Sequence, residues 1–184
     1  LCHVHGGWFS TLRAIGYHGA MTKIPHYGFR AATMADLALL RYWLHMPHVG
    51  RWCGHDDPCD KDDLADPRVS RWIVLLGDQP FAYLQDYAVH GWDQHHFAHL
   101  PPASRGIDQF IGEAGMIGKG HGKGLIRQRM QELFQTGVPV LAADPSPENH
   151  RAITVYQRLG FVIAGQPFAT EWGMVLPMEA RRPE

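Results

Sequence analysis

The chain has 184 residues, a formal net charge of −1, a hydrophobic share of 45% and a charged share of 19%. These are globular values and enough chain to bury a core, so one domain is expected and disorder is excluded. Near-neutral charge implies no general attraction to nucleic acid, and no apolar stretch reads as a membrane span. Three cysteines, Cys2, Cys53 and Cys59, do not make a disulfide framework, which favours a reducing, cytoplasmic setting.

Residues 1–20 show no clear periodicity and read as an upstream extension or flexible arm, with a single domain over 21–184. Arg13, Tyr17 and His18 interrupt what would be the apolar core of a secretory signal. Tyr27 to Ala31 reads as a strand. Thr33-Met34-Ala35-Asp36 resembles a capping box and opens a helix to about Met46, with Leu37, Leu40 and Leu44 on its apolar face. A loop follows, carrying Trp52, Cys53, Gly54 and a run with Asp56, Asp57, Asp60, Asp62, Asp63 and Asp66. Such a run is either a solvated loop or an acidic rim that attracts a cationic substrate.

Arg71 to Leu76 and Phe81 to Val89 form a hairpin about Gly77-Asp78-Gln79-Pro80. Alternation puts Phe81, Tyr83, Gln85 and Tyr87 on one face and Ala82, Leu84 and Asp86 on the other. A histidine-rich loop runs from His90 to Ser104. Its His90, His95, His96 and His99 lack a carboxylate or cysteine at metal-binding spacing, and neighbouring His95 and His96 are expected to point apart, so no metal is expected. Gly106 to Gly112 is a strand with Gly106, Asp108 and Phe110 on one face.

Next comes Gly118-Lys119-Gly120-His121-Gly122-Lys123-Gly124, followed by a helix with Ile126, Met130 and Leu133 at helical spacing. Alternate glycines let backbone N–H groups approach an anion, and the helix start adds its positive end. The stretch is thus either a phosphate cradle or a plain flexible turn; with no Ser or Thr after Lys123 it is not a P-loop. Val138 to Ala142 is a strand that Asp144-Pro145-Ser146-Pro147 breaks. Asn149 caps a helix whose buried face is Ala152, Ile153, Tyr156 and Leu159, and Gly160 ends it. Two strands close the chain. The order of elements is that of a mixed α/β domain.

The glycine loop with its helix, followed by Asn149-x-x-Ala152-x-x-x-Tyr156-x-x-x-Gly160-Phe161, resembles the GCN5-related N-acetyltransferases. Arg105-Gly106-Ile107-Asp108-Gln109-Phe110, Asp144-Pro145-Ser146-Pro147-Glu148-Asn149 with Arg151-Ala152-Ile153, Gly91-Trp92 and Tyr83-x-Gln85-x-Tyr87 look like the aminoglycoside 6′-N-acetyltransferases. The resemblance covers about residues 27–178. It implies a mostly antiparallel mixed sheet flanked by helices, acetyl-CoA as co-substrate, and transfer to the 6′-amine of an aminoglycoside, hence antibiotic resistance. By the same resemblance Ile117, Gly118, Lys119, Gly120, His121, Gly122 and Lys123 hold the pyrophosphate, and Asn149 lies by the pantetheine arm or only caps its helix. Ile117 stands where many relatives carry Arg or Gln.

Asp108 would lie beside the substrate amine and Tyr156 by the thioester sulfur. Each has a plainer reading: Asp108 as a structural strand residue, Tyr156 as core. Asp144 would bind a drug amine or simply start a turn before proline. Glu171 is a further acidic candidate, and Trp52, Gln85, Tyr87 and Trp92 form a sugar platform or ordinary core and rim. Other substrates remain open on this reading: a polyamine, a protein N-terminus or a siderophore precursor. So does a non-catalytic acyl-CoA-binding module, and the protein is expected as monomer or dimer.

Overall fold

A computed structural model describes residues 25–53, 61–170 and 173–183. Among them, seven strands form one sheet in the order β1-β2-β3-β4-β5-β9-β6. These are β1 (Gly28–Ala31), β2 (Val69–Leu76), β3 (Gln79–Ala88), β4 (Arg105–Ile111), β5 (Val140–Ala143), β6 (Val162–Ile163) and β9 (Met178–Arg181). Every adjacent pair is antiparallel except β4 with β5. A two-stranded ribbon, β7 (Phe168–Thr170) with β8 (Gly173–Val175), precedes β9. Four strands therefore close the chain rather than the expected two. They are only two to four residues long, too short for alternation to register in sequence.

The Thr33–Asp36 box is present. The Thr33 N–H and hydroxyl donate to Asp36 Oδ2 at 2.8 and 3.0 Å. Arg30 grips the same carboxylate through two bonds of 2.7 and 2.8 Å, which holds the Asp36 carboxyl down at about 2, with Arg30 as the main cause. A 3-10 turn leads into α1 (Leu37–Leu44). The helix expected to reach Met46 stops at Leu44, because Pro47 starts a second helix, α2 (Pro47–Cys53). The segment expected as one loop thus carries α2, with Trp52 and Cys53 on it, and α3 (Lys61–Ala65) inside the acidic run. Asp62 and Asp63 in the first turn of α3 favour a helix start through the dipole. Residues 54–60 lie outside the described residues.

The sheet separates three apolar clusters. On one face α4 (His121–Gln135) and α5 (His150–Gln157) pack Leu125, Ile126, Met130 and Tyr156 against Val74, Ala82, Leu84 and Ile107. On the other, α1 packs Leu40 and Trp43 against Ile73 and Tyr83, with Phe110 alongside. Farther along that second face, Tyr87, Val89, Val140 and Ala142 pack against Phe97 and Leu100 of the histidine-rich loop. Gln85 and Asp108 stand on the second face between these last two clusters.

Two glycines allow this packing. A Cβ at Gly106 would overlap the Tyr87 ring, and one at Gly112 would overlap the Trp43 indole. Trp43 is fully buried and its Nε1 donates to Glu113 at 3.0 Å, so it cannot yield without losing a bond. Gly112→Ala is therefore expected to destabilise the fold by about 1–3 kcal/mol, as overpacking does. Thermal unfolding should show it as a drop of several degrees at roughly 2–4 °C per kcal/mol for a chain of this size.

Candidate active site

The parallel pairing of β4 with β5 is short. Arg105 faces Leu141 and Gly106 faces Ala142, and there the ladder ends. Two residues beyond the last pair, each strand presents an aspartate: Asp108 on β4 and Asp144 just past β5. The alternation that turns Gly106 and Asp108 to one face also turns Ala142 and Asp144 to it. The two carboxylates thus flank the mouth of the gap where the strands part, and the Asp144 charge is felt at Asp108.

Asp108 is held from β3. Gln85 lies directly opposite in the register, and its Nε2 donates to Asp108 Oδ2 at 3.0 Å. The Tyr83 hydroxyl donates to Gln85 Oε1 at 2.9 Å. This chain of bonds fixes the Gln85 amide so that its NH2 faces the aspartate. Desolvation nevertheless pushes the Asp108 carboxyl up to about 7, and the Asp144 charge adds to the rise against the Gln85 bond and His96. Near neutrality the group can both accept and release a proton.

Tyr156 reaches the gap from the other side of the sheet. It is 5% exposed, its ring meets Phe161 edge-on at 5.0 Å, and its hydroxyl donates to the Ile107 carbonyl at 3.4 Å. Burial first, then the charges of Asp108 and Asp144, drive its pKa well above the ordinary phenol value. The phenol therefore keeps its proton. Tyr87 is raised in the same way and for the same first cause. Asp108, Asp144, Tyr87, Tyr156 and Gln85 are brought together as one group.

The glycine loop follows the end of β4. Gly118 and Gly120 have φ of 82° and 86°, the left-handed region that favours glycine, and Gly120 is the N-cap residue of α4. No heavy atom outside the loop comes within 4 Å of a Cβ built at Gly120, and at Gly118 only an Arg151 Nη approaches, at 3.9 Å. An anion could thus reach the backbone N–H groups closely. Lys119 and Lys123 flank the loop in sequence. The Arg151 guanidinium is a cation that the sequence reading left unassigned, because no local spacing connects the first turn of α5 to the loop. Gly124 serves packing instead, since Tyr27 fills the place of its side chain. The His121 Nδ1 lies 3.1 Å from the Tyr27 hydroxyl. Ile117 is extended and its N–H bonds Ala114, so it leads into the loop. Asn149 Oδ1 accepts from the Ala152 N–H at 3.1 Å, an N-cap bond.

Of the platform candidates, Tyr87 and Trp92 meet edge-on at 5.9 Å, with Arg68 over the Trp92 ring at 4.5 Å. Trp52 stands on α2, and its ring is covered by Arg51 at 4.7 Å. Glu171 lies outside the described residues. The two neighbouring histidines do not point apart as expected. They lie in a loop rather than a strand, and their rings stack at 4.5 Å with 22° between planes. His96 Nε2 comes to 3.0 Å from Asp144 Oδ2. No sequence signal placed that histidine at Asp144.

Asp86, at 1% exposure the most buried aspartate among the described residues, is structural. It lies on the α4 face and is held by Arg105 at 2.6 Å, Arg129 at 2.9 Å and the Trp72 indole at 3.0 Å. The cavity beside it, about 420 Å³ and lined by Ser70, Arg105, Arg129 and Glu132 among others, lies across the sheet from the Asp108 group.

Residues 32–167 match the acetyltransferase (GNAT) domain. The chain is 31% identical over 169 residues to the aminoglycoside N(6′)-acetyltransferase type 1 of Klebsiella pneumoniae, spanning 83% of this chain and 82% of that protein. A kanamycin resistance protein of Rhizobium radiobacter is 37% identical over 82 residues, 44% of this chain and 76% of that one. Among solved structures, the aminoglycoside acetyltransferase AAC(6′)-Ib with coenzyme A and kanamycin superposes with a TM-score of 0.75 at 32% identity, covering 85% of this chain and 95% of the other. The same enzyme with acetyl-CoA and an aminoglycoside gives the same TM-score. This chain belongs to the GNAT acetyltransferase family.

The raised carboxyl of Asp108 sets a stability signature. The folded state holds its proton up to about 7, whereas an unfolded Asp releases it near 3.9. Between those values the native state binds more protons, so this group's contribution to stability falls as pH rises. Asp108→Asn should therefore raise the melting temperature at pH 8 relative to wild type, with the gain shrinking toward pH 4. A pair of thermal melts at the two pH values checks it.

Proposed function

We propose that this protein transfers the acetyl group of acetyl-CoA to the 6′-amine of aminoglycoside antibiotics, in a direct ternary complex in the cytoplasm, and so confers resistance. The observation that carries this reading is the pair Asp108 and Asp144 across the gap between β4 and β5, with Tyr156 at the same gap. An aminoglycoside is a polycation, and two aspartates that face one opening can take two of its ammonium groups. The relatives named for aminoglycosides support the same substrate class.

The glycine loop fits a pyrophosphate. Gly118 and Gly120 open the backbone, the start of α4 adds partial positive charge, and Lys119, Lys123 and Arg151 add full charges. Bound there, acetyl-CoA supplies a thioester carbonyl to the amine. An alkyl ammonium must first lose its proton, and Asp108, with its carboxyl near 7, is matched to take it. The amine nitrogen then bonds to the carbonyl carbon as the carbon–sulfur bond breaks. Tyr156, which keeps its phenol proton, gives it to the departing sulfur, and the second proton lost by the acylated nitrogen restores the phenol. Gln85 keeps Asp108 aimed, while Tyr87, Trp92, Trp52 and Asp144 line the substrate side. A covalent acetyl-enzyme is not part of this reading, since the thiol that feels the Asp108 charge, Cys53, is pushed up to about 11, first by desolvation and then by that charge, and so keeps its proton.

Asp108→Asn is expected to lower kcat by about 10²–10⁴, the usual worth of a positioned base, with acetyl-CoA KM nearly unchanged. The acid limb of the wild-type rate profile, centred near the Asp108 value of about 7, should vanish in that variant. Tyr156→Phe should lower kcat by about 10²-fold or more, with little change in aminoglycoside KM. Thiol release with kanamycin, tobramycin and amikacin, against analogues bearing a 6′-hydroxyl, tests the regiochemistry. Turnover confined to spermidine or a peptide N-terminus would replace the substrate assignment. Coenzyme A binding without turnover on any amine would mark a non-catalytic binding module.

A further inference from the structure

The histidine-rich loop contributes a group that the proposed reaction does not use. His96 is largely buried, and so is Asp144, at 14% side-chain exposure each. The imidazole Nε2 lies 3.0 Å from Asp144 Oδ2, yet the approach is out of line for a hydrogen bond, and this nitrogen has no bonding partner among the described residues. A buried polar nitrogen without a partner is costly unless a charge interaction or a ligand compensates for it.

Its surroundings hold it in place. The His96 ring stacks on His95 at 4.5 Å, packs on Phe97 at 4.3 Å and meets Phe168 of β7 edge-on at 5.4 Å. The charged and titratable groups around it come from every neighbouring element. Asp144, just past β5, faces it directly, and Asp108 on β4 feels its charge. His95 and His90 belong to its own loop, and Tyr87 on β3 meets it through His95. Tyr156 on α5 feels the same two carboxylates. No basic side chain occurs among these groups other than the imidazoles.

We infer that His96 is a specificity-determining residue that competes with the substrate's ammonium for Asp144. As an imidazolium it neutralises Asp144 and occupies the cation's place. As a neutral imidazole it leaves the carboxylate free for a cation. The inference rests on the proposed use of Asp144 as an ammonium site. It makes cation binding weaken with acidity, in proportion to the loss of the competent, neutral form.

Asp108 titrates over the same span, so the test removes it. Kanamycin binding to the coenzyme A complex is measured calorimetrically in Asp108→Asn, at about pH 8 and about pH 5.5. The dissociation constant should rise severalfold at the lower pH. In the double variants with His96→Gln and with His96→Asn, that rise should shrink to less than about twofold, with tighter binding at low pH than in Asp108→Asn alone. An undiminished rise in both double variants would overturn the inference. So would weaker binding at both pH values, which would make His96 a ligand of the substrate. Wild-type turnover on kanamycin is a separate reading: its absence would sink the aminoglycoside assignment alone. The same comparison with spermidine then decides the role of His96.

Discussion

The site depends on one topological constraint, the parting of β4 and β5 after two matched pairs of residues. A parallel pair that stayed joined would place Asp108 and Asp144 among ladder neighbours. By diverging, the strands leave each carboxylate at the edge of an opening and bring the Tyr156 phenol to the Ile107 carbonyl between them. Asp108, Asp144 and Tyr156 are arranged about that gap. The glycine loop follows β4 by way of the 3-10 turn Ala114–Met116, and α5 follows β5, which ends at Ala143 just before Asp144.

The electrostatics follow from the same arrangement. Desolvation raises the Asp108 carboxyl to about 7, and the charge of Asp144 across the gap adds to the rise. The sheet contributes only a neutral donor, Gln85, to oppose this. The contrast with Asp86 is instructive. That carboxylate is more buried, but two guanidinium groups and an indole bond it, so it serves the join between β3, β4 and α4. One strand thus carries both kinds of environment on alternate faces: Gln85 bonds Asp108 on the open face, and Asp86 anchors the closed one.

Much of the local structure was legible in the sequence. The helix from His121, the Asn149 cap, the Gly160 stop and the hairpin about Gly77 each rest on short-range rules that the tertiary context did not override. The alternation along β3 and β4 put Gln85 and Asp108 on matched faces. Local rules failed where elements were short. Helix α2 begins at a proline after a break of two residues, α3 hides in an acidic run, and the closing strands are too brief for a period to show. Neighbouring histidines expected to diverge lie stacked, because the loop that carries them is not a strand.

The sequence by itself determined which groups exist and their local setting. It placed an aspartate two positions past a glycine on a strand, a glycine-rich helix start, and a tyrosine on the buried face of a capped helix. It determined family membership as well, through strings of residues that the comparisons bear out. Only the tertiary structure decided which of these groups meet. Asp108 and Asp144 are joined by strand order, Arg151 and Gly118 by the packing of α5 beside the loop, and His96 and Asp144 by the course of a loop. The physical reason is that proximity between distant residues is set by sheet register and packing, whereas capping, turns and alternation are written within a few residues of one another.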